Sequence, residues 1–237
     1  MASTIQLQRT INLAQQYLRL APLTFVENTA NDPAFSNADW VMQFILSPDL
    51  GGWRWNRVGA TPSNPTFKTV IGQSDYIVNL PNFGWIEKAV AYDPVNGFAA
   101  FELQNDLIKG ADTNSNQPAR IAAQYDDGNG NITFRVFPAP DAAYSIVVEY
   151  QKSAPQFASL TQTWAPIPDY LSYIFNTGFQ AKGFDYSNDP RFSSSMQLFL
   201  QHLAAAAEGL DSSQKNLFLE DKLNTLRQTA RVQAGRA

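Results

Sequence analysis

The side chains that most often carry out catalysis are scarce in this chain. His202 is the only histidine, and none of the 237 residues is a cysteine. Nucleophilic catalysis usually places a histidine beside a hydroxyl or thiol, and zinc sites need several His or Cys ligands, so both arrangements are largely excluded. The sequence also contains no phosphate-binding loop and no dinucleotide-binding glycine pattern. We therefore predict that the protein is not an enzyme and that it uses no cofactor.

The acidic residues suggest two other chemistries. The run Asp-Asp-Gly-Asn-Gly-Asn at 126–131 resembles part of a calcium-binding loop. With Asp127 at the third ligand position, however, the first and twelfth positions fall on Tyr125 and Val136, which supply no carboxylate. Asp-Gly and Asn-Gly are strong hairpin signals, so we predict a hairpin turn without bound metal. The other acids are scattered at predicted turns and helix ends, and a glycosidase that uses a pair of them is the remaining enzymatic alternative.

Two tryptophans, Trp53 and Trp55, flank an arginine just after a pair of glycines. Indole rings in a loop can form a platform on which a sugar or a nucleotide stacks. The alternative, which the usual burial of Trp favours, is that both rings seal a junction between helices and a sheet, with Arg54 or Arg57 stacked on one of them. The first alternative predicts a carbohydrate- or receptor-binding module, and the second predicts core packing.

The last residues of the sequence carry positive charge without any acid. Arg227, Arg231 and Arg236 lie there among few apolar side chains. A segment of this composition cannot hold itself against a core, and we predict that it is mobile until a partner orders it. The alternative is a frayed and solvated helix end that binds nothing.

The composition indicates a protein whose surfaces are covered by other subunits. Charged residues make up 16% of the chain, below the roughly 25% typical of soluble domains. The net charge of −4 argues against general binding to nucleic acid, which needs a basic face. No apolar run reaches the roughly 20 residues of a membrane span, and the first residues lack the pattern of a signal peptide. We expect a protein that is made in the cytoplasm and stays there or leaves inside a larger assembly.

The elements that would position these residues divide into helical ends and a β-rich middle. Apolar residues recur at helical spacing near both ends of the chain, whereas residues 66–151 alternate apolar and polar side chains between turn signals. The clearest alternation lies in 132–150, which predicts two strands around a Pro-Asp corner. These patterns predict an α+β protein in which a helical bundle built from both chain ends carries an inserted antiparallel β domain.

Four regions follow from this organisation. We predict N-terminal bundle helices in residues 1–60 and the inserted β domain in residues 61–152. The C-terminal bundle helices are predicted in residues 153–211, and a last helix with a partner-docking tail in residues 212–237.

Three motifs resemble those of a known family. The first is the strand, Pro-Ala-Pro-Asp corner and strand between Phe134 and Tyr150. The second is the helix that follows the Asp-Pro-Arg sequence at Asp189, and the third is Gly-Gln-Ser-Asp-Tyr at Gly72 with Leu-Pro at Leu80. In this order and spacing they resemble the head-to-tail adaptor, or connector, proteins of tailed bacteriophages, over most of the chain.

The resemblance implies a structural protein of the virion, located in the neck between head and tail. It implies a closed ring, commonly of twelve copies, that sits below the portal, joins the capsid to the tail and forms part of the DNA channel. The implied partners are the portal protein, a tail nozzle or tail-tube protein, and DNA that passes without sequence-specific binding, but no membrane. Because C-terminal residues of this family reach the portal, Arg227, Arg231 and Arg236 are the predicted portal-binding residues.

Overall fold

The chain forms two compact units in the computed structural model. One unit contains Met1–Asn56 and Ala154–Ala237, and the other contains Arg57–Ser153. The structure describes residues 3–17, 33–93, 95, 99–106 and 114–234, and of Gln15, Tyr17, Ala99 and residues 226–234 it describes the backbone alone.

The first unit is built mainly from helices. They are α1 (Leu7–Tyr17), α2 (Pro33–Ile45), α3 (Ser172–Tyr186), α4 (Phe192–Ala206) and α5 (Ser212–Ala234). Short 3-10 helices at Pro48–Leu50, Arg54–Asn56 and Asp169–Leu171 connect them. α3 packs against α1, α2 and α4, and α4 also packs against α5. The fully buried side chains at their centre include Leu7, Val41, Met42, Trp53, Phe175 and Phe199.

Residues 154–168 cross the first unit without forming an α-helix. Phe157 and Trp164 from this stretch are buried in the core. The same stretch holds α1, because the N–H of Leu7 donates to one of its carbonyls at 2.9 Å and Trp164 Nε1 donates to Thr10 Oγ1 at 3.0 Å. A segment rich in Gln, Ser and Thr, which lies where C-terminal bundle helices were predicted, is therefore an extended part of the core.

The second unit is a curled sheet. Its strands are β1 (Arg57–Val58), β2 (Phe67–Lys68), β3 (Asp75–Asn79), β4 (Phe83–Asp93), β5 (Ala99–Asn105), β6 (Ser115–Asn116), β7 (Arg120–Asp126), β8 (Asn131–Phe137), β9 (Ala139–Pro140) and β10 (Ser145–Lys152). The order is β1-β10-β4-β5-β7-β8-β3, with β2 also paired to β10, while β6 and β9 form a separate pair. Among the described strands of the main sheet, β5 and β7 are parallel and the other neighbours are antiparallel.

The core of the second unit lies on one face of this sheet. In β8, Ile132, Phe134 and Val136 are buried and alternate with half-buried residues, so the predicted period-two pattern is confirmed for this strand. The Phe134 ring lies 5.8 Å from the Phe67 ring and 5.6 Å from the Phe83 ring, measured between centroids. Aromatic packing of this kind makes Phe134 the centre of the core.

The predicted fold class is wrong. The protein is a mixed α/β protein dominated by a curled seven-strand sheet, a half-barrel, and its helices lie mostly in the C-terminal half. It is not a helical bundle from both chain ends with an inserted antiparallel domain. The parallel pairing of β5 with β7 makes the sheet mixed, and α1 is held by hydrogen bonds to the extended stretch 154–168 as well as by its packing on α3. A helical period shows that one face of a helix is buried, but not which element covers that face.

Two helix ends depend on local chemistry. α3 runs through Gly183 to Tyr186. α5 is capped by Asp211, because Asp211 Oδ1 accepts the N–H of Gln214 at 2.8 Å and Gln214 Oε1 accepts the N–H of Asp211 at 2.9 Å. This reciprocal pair is a capping box with Asp in place of the usual Ser or Thr.

The Pro-Asp corner of the sheet is held by a buried tyrosine. Tyr144 Oη donates to Asp141 Oδ1 at 2.8 Å, and the N–H of Tyr144 donates to Thr69 Oγ1 at 2.7 Å. Burial, and then the neighbouring Asp141 carboxylate, raise the pKa of Tyr144 from 10.0 to about 12. The folded protein therefore binds the phenolic proton more tightly than the unfolded chain does.

We expect Tyr144 to make the folded protein sensitive to alkaline pH. Its contribution to the free energy of unfolding is complete below pH 10, the unfolded value, and is lost as the pH rises to about 12. The denaturant midpoint of Tyr144→Phe should therefore fall less steeply than that of the unmodified protein between about pH 10 and about pH 12. Equal slopes in the two proteins would contradict this role of Tyr144.

Candidate partner-binding surfaces

The predicted portal-binding arginines belong to α5, the first half of which is fixed to the core. Phe218 is buried, and Leu219 and Leu223 pack partly buried against the same core. Lys222 Nζ lies 3.1 Å from Asp49 Oδ2. Because both of these charged groups reach solvent, the ion pair contributes little, and the apolar contacts anchor the helix.

α5 continues well past these anchors. At 1.5 Å per residue, the helix spans about 16 Å from Leu223 to its last residue, Ala234. Arg227 and Arg231 lie in this continuation, four residues apart and therefore on the same side of the helix axis. The third predicted residue, Arg236, lies outside the described residues. The structure thus places Arg227 and Arg231 on a continuous helix; the mobility of this segment and its binding to a portal stay predictions.

A groove that the sequence did not predict lies beside the start of α5. It has a volume of about 500 Å³ and is lined by Asp49, Leu210, Gln214, Leu217, Phe218, Asp221 and Lys222. Leu217 is 69% exposed, whereas its neighbour Phe218 is buried. Successive residues of a helix are about 100° apart around its axis, and at this point Phe218 faces the core while Leu217 faces solvent.

The two tryptophans are part of the core rather than a binding platform. Trp53 is 1% exposed, and its Nε1 donates to the carbonyl of Ile45 at 2.7 Å. The half-buried Trp55 ring lies 5.2 Å from the Trp53 ring. Arg54 reaches Glu208, with Nε 3.6 Å from Oε2, and Arg57 pairs with a different glutamate on the sheet, so the predicted stacking of an arginine on an indole is not observed for either.

Residues 126–131 form the turn between β7 and β8. Asp127 Oδ1 accepts the N–H groups of Asn129 at 2.7 Å and of Asn131 at 3.0 Å, and Asp127 Oδ2 accepts Asn131 Nδ2 at 2.7 Å. These hydrogen bonds, that of the Asn131 side chain first, lower the pKa of Asp127. The carboxylate therefore holds the predicted hairpin turn together.

We expect calcium to leave the melting temperature unchanged, because the Asp127 oxygens already accept hydrogen bonds from the turn. An ion that bound only the folded state would raise the melting temperature as its concentration increased. Asp127→Ala should melt slightly lower to the same extent with and without calcium. A calcium-dependent rise that disappears in Asp127→Ala, and that magnesium does not reproduce, would overturn the prediction.

His202 packs between two helices. It lies on α4, and its ring is 5.2 Å from the ring of Tyr173 on α3. Among the residues that the structure describes, no group of three or more His, Cys, Asp or Glu could hold a metal ion. The described helices include none that combines the length and apolar character needed to cross a membrane.

No model of a protein family and no curated protein matches this chain. A functional inference therefore depends on the sequence motifs and on the surfaces described above.

Proposed function

We propose that this chain is a structural protein of a tailed-bacteriophage particle, a head-to-tail adaptor. Copies of the chain form a closed ring below the portal, join the capsid to the tail and enclose part of the channel through which DNA leaves. The proposal is based on the similarity of three motifs, at Gly72, Phe134 and Asp189, to that family. In the particle its place is the neck, and its protein partners are the portal on one side and a tail nozzle or tail-tube protein on the other.

The observation that supports this proposal most is the course of α5. One continuous helix joins a buried anchor, Phe218, to a basic end that carries Arg227 and Arg231. A helix that is fixed at one end and charged at the other can reach a partner without unfolding its own subunit. Guanidinium groups suit carboxylates and backbone carbonyls, which line clefts between the subunits of a protein ring.

The charge of the chain is compatible with a passage for DNA. Proteins that grip a duplex neutralise its phosphates with clustered Lys and Arg. This chain has a net charge of −4, so a ring of its copies would repel the phosphate backbone on average and would not hold the DNA in place.

The alternative of a carbohydrate- or receptor-binding tail module was based on the two tryptophans and the β region. Because Trp53 is buried and its indole N–H is used within the core, it cannot stack on a sugar. The burial of Trp53 therefore removes one of the features on which that alternative was based. The glycosidase alternative gains no support either, since acids such as Asp189 are engaged in local ion pairs, here with Arg191. The absence of enzymatic activity stays a prediction.

The proposal is tested by quantifying the protein in purified phage particles. Mass spectrometry against labelled reference peptides should find it in a fixed ratio to the portal protein, of about one copy per portal subunit as expected for matched rings. Gold-labelled antibody should mark the neck rather than the fibres or the capsid surface. Absence from purified particles, or labelling of the tail tip alone, would contradict the adaptor role.

A further inference from the structure

Strand β3 forms an open edge of the curled sheet. Within the part of the chain that the structure describes, it pairs with β8 and with no second strand. The carbonyl of Ser74, just before β3, accepts the N–H of Val136 at 2.9 Å. In an antiparallel ladder such bonds come from alternate residues, so the backbone groups of Tyr76 and Val78 face β8. Those of Ile77 then face the open edge.

One backbone group of this edge has a side-chain partner, since Gln73 Nε2 donates to the carbonyl of Asp75 at 2.7 Å. Otherwise the described residues of the edge lack the features that usually prevent association between sheets. Natural edge strands carry Lys or Pro, bulge away from their neighbours or are covered. β3 reads Asp-Tyr-Ile-Val-Asn and pairs with β8 without a register shift. Its one charged residue, Asp75, forms an ion pair with Arg135 of β8, with Asp75 Oδ1 2.6 Å from Arg135 Nε. The side chain at its centre, Ile77, is 75% exposed.

A row of three side chains with apolar ends crosses the outer face of the sheet to the open edge. Ile77 lies opposite Thr133 of β8, and Thr133 lies opposite Tyr125 of β7. Tyr125 is 66% exposed, so the row begins and ends with a large solvent-exposed side chain. In the turn just before β3, Val70 and Ile71 are also exposed. Exposed apolar side chains gathered around an unpaired edge are typical of a surface that another chain covers.

We propose that β3 pairs with β3 of a second copy of this chain, antiparallel and about a twofold axis that passes through Ile77. The strand is complementary to itself in this register. Ile77 lies opposite Ile77 of the second copy, and Asp75 lies opposite Asn79, so no like charges oppose each other. The row of Ile77, Thr133 and Tyr125 in one copy then meets the same row of the second copy at the axis, where the two Ile77 side chains lie side by side.

This contact goes beyond the adaptor role and does not depend on it. A twofold contact joins copies in pairs, whereas a ring closes through contacts that repeat from each subunit to the next. The two proposals therefore fail in different experiments: this one in a measurement of the isolated protein, and the adaptor role in measurements on particles and portals.

Disulfide cross-linking tests this contact directly. Because the sequence contains no cysteine, a single introduced cysteine can form a disulfide only with the same residue of another copy. In the proposed register the Ile77 pair exchanges hydrogen bonds, which places its Cα atoms about 5.5 Å apart, a separation that a disulfide spans. Ile77→Cys should therefore give a disulfide-linked dimer under mild oxidation. Val95→Cys, which introduces a thiol at another highly exposed position of the same unit, should cross-link only at the rate of random collision.

A second variant tests the contact without oxidation. Ile77→Lys places two positive charges opposite each other and should shift the protein from dimer to monomer in sedimentation velocity, with an unchanged circular dichroism spectrum because the side chain is exposed. Val95→Lys should leave the dimer intact. A protein that is monomeric at all concentrations, an association that Ile77→Lys does not weaken, or equal cross-linking of Ile77→Cys and Val95→Cys would overturn the proposal.

Discussion

Removal of residues 227–237 is expected to leave a folded subunit that no longer attaches stably to DNA-filled heads. The buried anchor of α5, Phe218, and the packed Leu223 both precede the cut. The free energy of unfolding of the subunit should therefore change little. Attachment should be lost because the removed segment contains all three predicted portal-binding arginines. Heads that retain the truncated protein at the normal ratio would contradict the docking role.

A double substitution separates the charge of this segment from its length. Arg227→Gln with Arg231→Gln keeps residues of similar helix propensity and removes two positive charges. Hydrogen bonds to charged groups contribute about 1.5–3 kcal/mol each, so the affinity for portal rings should fall by at least roughly tenfold. The matched control, Lys68→Gln with Lys88→Gln, removes the same charge from exposed positions of the sheet and should bind normally. Equal losses in both pairs would indicate a general charge effect instead.

Phe134→Ala should have the largest effect on stability among single substitutions in the sheet. The side chain is fully buried and contacts two other aromatic rings, and its removal would leave a cavity at the centre of the second unit. Losses of about 3–5 kcal/mol are typical for such a truncation. Chemical unfolding followed by circular dichroism measures this loss directly.

The neighbouring residue gives the control for this substitution. Thr133 lies in the same strand but on the opposite face, so Thr133→Ala should cost no more than about 1 kcal/mol. If the two substitutions had similar effects, the core would not lie on the face that carries Phe134. The two substitutions therefore test which face of the sheet is buried and how much the buried side chain contributes to the free energy of unfolding.

The sequence predicted the local elements better than their arrangement. The alternation in β8 identified its buried face, because a strand places successive side chains on opposite sides. The hairpin at 126–131 was also predictable, since its turn chemistry lies within a few adjacent residues. The parallel pairing of β5 with β7 was not, because strands that pair across a long connection leave no local signature.

For the candidate surfaces too, local features could be predicted from the sequence, whereas features that depend on the arrangement of elements could not. The last helix and the basic character of the segment that follows its apolar face are visible in the sequence, but the end of α5 at Ala234 was not predicted, because the few apolar residues there give no periodic signal. The role of residues 154–168 was missed because an extended stretch in a core has no characteristic period. The open edge at β3 could not be predicted either, since it depends on which strand ends the sheet.

The adaptor proposal is tested most directly by the native mass of purified portal rings mixed with this protein. Each copy adds 26.3 kDa. A head-to-tail adaptor should produce one discrete complex, heavier than the portal ring by about one copy per portal subunit, and the chain truncated before Arg227 should not form it. A portal ring whose mass stays unchanged, in the presence of folded full-length protein, would contradict the proposed function.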